Sequence, residues 1–130
     1  MSPALNLTRI VSVMLGVRDL EASTRFYTGI LGLKATLQSK QIVLLEAGSI
    51  SLGLSPGHAR LAPQNLAQQI NGATEVSFAV EDIHASYAAL KERGVIFMNA
   101  PQQVTEKEFA AHFRDPDGHM LSIFGPEASA

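Results

Sequence analysis

The feature that most constrains this chain is that it repeats itself. Val13 and Val76, Val17 and Val80, Asp19 and Asp82, Ala22 and Ala85, and Ser23 and Ser86 all pair at one offset (76 − 13 = 63). Gly32 and Gly94 pair at 62, one deletion away. A self-match of this length marks two copies of one supersecondary unit, because a repeated unit cannot bury its apolar face alone and needs its neighbour. The first copy spans about residues 8–55, a connector follows over 56–72, and the second copy spans about 73–126, within a single domain covering 1–130.

Each copy reads as strand, helix and three strands. Val13, Leu15 and Val17 alternate with Ser12, Met14 and Gly16, the period-two pattern of a half-buried strand. Asp19 then stands where a helix N-cap belongs, since its carboxylate can accept the orphan N–H groups of the first turn. Leu20, Tyr27 and Leu31, widened by Phe26 and Ile30, form the helical stripe, and Gly32 stops it. Residues 33–38, 41–46 and 49–55 read as strands; the last alternates Ile50, Leu52 and Leu54 with Ser49, Ser51, Gly53 and Ser55. The connector carries the breakers Pro56-Gly57, Pro63 and Asn71-Gly72 around a polar, weakly helical middle.

In the second copy Val76, Phe78 and Val80 alternate with Glu75, Ser77 and Ala79. Asp82 caps a helix with the stripe Ile83, Tyr87 and Leu90, which Gly94 stops. Strand-like pieces at 95–99 and 107–114 lead to Asp115-Pro116-Asp117-Gly118. This is turn chemistry: Pro116 presets φ, Asp115 can bond its own backbone, and Gly118 tolerates φ > 0. In the closing strand Leu121 and Ile123 face one side, and Met120, Ser122 and Phe124 the other.

The fold class implied is α+β: tandem βαβββ units forming a curved mixed sheet around a cleft, with helices on the outer face. Helix-facing strand positions are large and aliphatic. Opposite positions are Ser, Gly, Glu and Met, which suits the wall of a pocket.

Composition closes off other classes. A hydrophobic fraction of 46% and a charged fraction of 17% are globular values. A formal charge of −2, spread along the chain, offers no basic footprint for nucleic acid and no polybasic membrane patch. No cysteine is present, so disulfides, thiolate metal ligands and a cysteine nucleophile are excluded, which suits a cytoplasmic protein. The first residues lack a signal-peptide pattern, because Arg9 interrupts the apolar run, and no stretch reaches transmembrane length. No G-x-S-x-G motif, phosphate loop or triad spacing occurs.

The segments VRDLEASTRFYTGILGL (17–33), VEDIHASYAALKERG (80–94) and FRDPDGHMLSIFG (113–125) together resemble the vicinal oxygen chelate superfamily, the glyoxalase, bleomycin-resistance protein and extradiol dioxygenase group. The resemblance covers about residues 8–126. It implies homodimers, and enzymes of the group that hold one divalent metal with His or Glu at four strand positions. Carried onto this sequence those positions are Ser12, Gly53, Glu75 and Ser122. A serine hydroxyl is a poor ligand, glycine has no side chain, and one carboxylate does not hold an ion against water. The expected metal set is therefore none, and no cofactor is expected.

The histidines do not replace the missing ligands. None precedes residue 58: His58 is in the connector, His84 in the first turn of the second helix, and His119 beside the turn, facing the helix side or solvent. His112, in the strand before the hairpin, is the one retained for the pocket. The first reading is a metal-independent small-molecule binder, for a drug or aromatic metabolite. Its pocket is lined by Ser12, Met14, Ser51, Gly53, Glu75, Ser77, Phe109, His112, Ser122 and Phe124. The alternative is a lyase, isomerase or dioxygenase, either metal-free with Glu75 and His112 in acid–base roles or metal-dependent.

Overall fold

Each copy builds its own four-stranded sheet. The computed structural model describes residues 5, 7, 9–61 and 74–128. In the first copy β1 (Ser12–Gly16) leads into α1 (Leu20–Arg25), a π turn (Phe26–Ile30), β2 (Ala35–Gln38), β3 (Val43–Ala47) and β4 (Ile50–Ser55). A short α2 (Pro56–Leu61) opens the connector. The rest of the connector, Asn71-Gly72 included, and most of the lead-in lie outside the described residues. The second copy runs β5 (Glu75–Ala79), α3 (Ile83–Glu92), β6 (Gln102–Gln103), β7 (Glu108–Arg114) and β8 (Met120–Pro126).

The strand orders are β1-β4-β3-β2 and β5-β8-β7-β6. The first and last strands of each copy in sequence, β1 with β4 and β5 with β8, pair in parallel, and the remaining pairs are antiparallel. The mixed sheet is thus divided into two halves, with β1 and β5 each at an edge.

The caps form as the sequence implies. Asp19 accepts from Ala22 N, and Asp82 accepts from His84 N and Ala85 N. Gly32 and Gly94 end their helices at positive φ, 78° and 96°. The first helix departs from the regular pattern over its second half. Thr24 and Thr28 turn their hydroxyls back onto the carbonyls of Leu20 and Thr24, at 2.7 and 2.6 Å. Leu31 N reaches Phe26 O at 3.0 Å, an i→i+5 bond that widens the turn.

One apolar core serves both halves. Leu15, Val17, Val43, Leu45, Leu52 and Leu54 come from the first copy, and Ile83, Ala111, Phe113, Leu121 and Ile123 from the second, with Tyr27 buried among them. Two stretches differ from the sequence expectation. Residues 95–99 form no regular strand: Val95 N stays with Leu90 O at the helix end, and the segment meets β7 through the Phe97–Phe113 bridge and Met98 N to His112 O at 2.7 Å. The outermost strand of the second sheet is instead the two-residue β6.

Candidate functional site

The face of each sheet away from its helix mixes serines, a glycine and ionisable groups with Met14, Leu44, Met120 and Phe124. In the second copy Ser77, Ser122 and His112 stand in one row across β5, β8 and β7, by direct register. Ser122 is buried, at 1% exposure, and its Oγ donates to Ser77 Oγ at 2.8 Å. Glu75 lies two residues from Ser77 on the same face of β5. His112 Nε2 meets Glu75 Oε1 at 2.8 Å, with about a third of each side chain exposed. β8 runs between their strands, so the contact spans it from Glu75, in register with Met120, to His112, in register with Ser122. On its other ring nitrogen His112 meets Asn99 Oδ1 at 3.1 Å. Met120 and Phe124 share the Ser122 face and are half-buried.

In the first copy the corresponding rows are Ser12, Ser51 and Glu46, then Met14, Gly53 and Leu44. The Met14 thioether lies where a Gly53 Cβ would be, so glycine at 53 is what lets this methionine fold down onto the sheet.

The halves are joined away from these faces. Tyr27 Oη donates to Asp115 Oδ2 at 2.6 Å. Asp117 accepts from Arg18 N (2.8 Å), the Arg18 guanidinium (3.2 Å) and Ser23 Oγ (2.9 Å). His119 Nε2 reaches Gly16 O at 2.7 Å. Burial alone raises a carboxyl pKa, but the Arg18 N–H, the Ser23 hydroxyl and the guanidinium outweigh it and hold Asp117 below the usual range. Burial, and then the carboxylate of Asp115, push the Tyr27 phenol well above its ordinary value. These residues, carried by the D-L-x-x-S-x-x-F-Y and D-P-D-G motifs, are the fastening between the copies.

Of the residues expected to line a pocket, Glu75, Ser77, His112, Ser122 and Phe124 share one face, and Ser12, Met14, Ser51 and Gly53 share another. Among the described residues no hydrogen bond or ion pair joins the two groups. Phe109 is placed elsewhere: it shares the helix-side parity of Ala111 and Phe113 and lies 5.9 Å from the His84 ring. His84 itself bonds Glu127 at 2.9 Å, and His119 serves the fastening. Asn99 was not foreseen; it sits in the irregular stretch before Pro101, where no periodicity assigns a face.

The donor set does not fit the metal that the fold family implies. Gly53 contributes no donor and is covered by Met14. The Ser122 hydroxyl is engaged with Ser77, and Glu75 with His112. Among the described residues no three His, Asp or Glu side chains come together to hold an ion. No step through a metal is therefore derived.

The family model described as "Glyoxalase/Bleomycin resistance protein/Dioxygenase superfamily" matches residues 9–123. An uncharacterized protein of Bacillus subtilis (strain 168), YraH, is 27% identical over 89% of this chain and 97% of its own. Among solved structures, the antibiotic-binding protein TnmS3 from Streptomyces sp. CB03234 superposes with a TM-score of 0.74 at 21% identity, covering 95% of this chain and 100% of that one. A lactoylglutathione lyase from Agrobacterium tumefaciens gives 0.72 at 19%, over 92% and 94%. At these identities the superpositions speak to the fold. With its duplicated βαβββ unit, its D-P-D-G fastening and a family match over nearly its whole length, the chain belongs to the glyoxalase/bleomycin resistance protein/dioxygenase superfamily.

Proposed function

We propose that this protein binds a small organic molecule without a metal, on the small-residue faces of its two βαβββ units. The observation that carries this reading is the state of the four family metal positions. Two are serines, one is a glycine capped by a thioether, and the one carboxylate, Glu75, is already paired with His112. A binder keeps its function without ligands for an ion. Ser77 and the exposed side of Glu75 offer hydrogen bonds, and Met120, Phe124 and Met14 offer polarizable apolar surface to a planar drug or aromatic metabolite. TnmS3, an antibiotic-binding protein of this fold, is consistent with that use. The reading includes a cytoplasmic homodimer.

A second reading has one specific observation in its favour. A carboxylate, an imidazole and an amide in series, at 2.8 and 3.1 Å, are the parts of a metal-free acid–base site, with Glu75 as base and His112 as its partner.

The test is a thermal-shift screen of planar aromatic and antibiotic-like compounds. A true ligand raises the melting temperature with its concentration. The shift shrinks in Glu75→Gln and in Ser77→Leu. Hits that keep their full shift in both variants refute this location, and incubation products found by mass spectrometry move the account to the second reading.

A further inference from the structure

We infer that Asn99 is a positioning residue for this site: it holds the His112 ring in the Nδ1–H form, so that Nε2 is the nitrogen presented to Glu75. The inference rests on the proposal that this face is the site and adds how its histidine is set.

The amide orientation of Asn99 follows from its neighbours. On one side Nδ2 meets two backbone carbonyls, Ala100 O at 2.8 Å and Ala110 O at 3.4 Å, which only accept. On the other side Oδ1 receives the backbone N–H of His112 at 3.1 Å, which only donates. Three backbone groups therefore agree on which end is oxygen, and a flipped amide opposes all three. The same Oδ1 lies 3.1 Å from His112 Nδ1. An amide oxygen has no proton to give, so Nδ1 must carry one.

With Nδ1–H fixed, Nε2 is the ring nitrogen that faces Glu75 Oε1, at 2.8 Å, close enough for the two atoms to share one proton. A freely turning ring would instead offer Glu75 a plain Nε2–H, and the pair would have no proton to exchange. His119 provides the contrast within the same molecule. Its Nε2 lies 2.7 Å from Gly16 O, an acceptor, so that ring carries its proton on Nε2. Two histidines in one chain are thus held in opposite forms by backbone-anchored acceptors. The ligand atom suited to the pair is one that can both give and take a proton, such as a hydroxyl, enol or amine.

The experiment needs no ligand. Uniformly 15N-labelled full-length protein is examined by two-bond 15N–1H correlation of the imidazole rings, with His112→Gln and His119→Gln assigning two of the four histidines. The expected result is a His112 pattern with Nδ1 protonated and a His119 pattern with Nε2 protonated. In Asn99→Leu the His112 pattern moves toward the Nε2–H form while His119 stays unchanged. Asn99→Asp, whose carboxylate can also accept from Nδ1 and from the backbone N–H, restores the Nδ1–H pattern. A wild-type His112 that is neutral with Nε2 protonated overturns the inference, as does an Asn99→Leu protein with His119 unchanged and His112 unmoved. Should Asn99→Leu fail to fold, the wild-type pattern and Asn99→Asp decide. Because no ligand enters, failure here leaves the binding proposal standing, and failure of the ligand screen leaves this result standing.

Discussion

The Tyr27 hydroxyl donates to Asp115 Oδ2 across 2.6 Å, tying the end of the first helix to the last hairpin over 88 residues of sequence. The other carboxylate oxygen of Asp115 accepts from Asp117 N and His119 N, at 2.9 and 2.8 Å. One buried carboxylate therefore shapes the D-P-D-G turn and fastens it to the opposite copy.

Removing the hydroxyl leaves Asp115 Oδ2 buried without a partner. Tyr27→Phe is expected to lose about 2 kcal/mol, within the range for a lost bond to a charged group. Urea denaturation followed by circular dichroism checks this, and an unchanged midpoint contradicts it.

The same phenol sets a basic limit to stability. Its folded pKa is raised above its unfolded value, so the stabilisation is whole below about pH 10, the ordinary tyrosine value, and is lost as pH rises further, because only the unfolded chain releases the proton there. In a Tyr87→Phe background Tyr27 is the remaining tyrosine. Phenolate absorbance should then appear only together with unfolding. Ionisation near pH 10 with the fold intact contradicts the buried bond.

Asp117 acts at the other end of the scale. Its folded pKa is depressed, so it stabilises above the ordinary aspartate value of about 3.9 and the gain is lost as pH falls through the folded value. Its side chain is 8% exposed but the Arg18 side chain is 78% exposed, so solvent screens the guanidinium's share of the effect. The stability gap between wild type and Asp117→Asn should be wide at pH 7 and narrow below pH 4. A gap that stays constant with pH contradicts the assignment.

Much of this was legible in the sequence, for physical reasons that differ by region. The 63-residue offset exposed the two units because both copies must present the same apolar face and the same Asp cap. Alternation placed Ser77, Ser122 and His112 on one side because strand parity is strict. Phe109 went astray by a single residue of parity, which is enough to move a side chain to the opposite face. The π turn escaped because a stripe at helical spacing does not show where threonine hydroxyls turn back on the backbone. Asn99 escaped because its position is set by Ala100, Ala110 and His112 in space and by no period along the chain.

Gly53 offers a local test of the first-copy face. A Cβ there meets the far end of the Met14 side chain, which can swing away, and the Leu44 methyl at 3.2 Å. Gly53→Ala should therefore cost under about 1 kcal/mol and move the Met14 thioether off Gly53, and the cost should vanish in Met14→Ala. A double-mutant cycle by thermal melts, with a crystal structure of Gly53→Ala, checks this. Equal costs in both backgrounds contradict the contact.

In the proposed function the family's metal positions serve a metal-free site. Elemental analysis of protein purified without a His-tag, before and after incubation with zinc, nickel, manganese and iron(II), tests it most directly. Less than about a tenth of an equivalent per chain, with no thermal shift from any ion, is the expected result, since an ion that does not bind the folded state cannot stabilise it. Close to one bound ion per chain, with a raised melting temperature, would contradict the account and put Glu75 and His112 among its ligands.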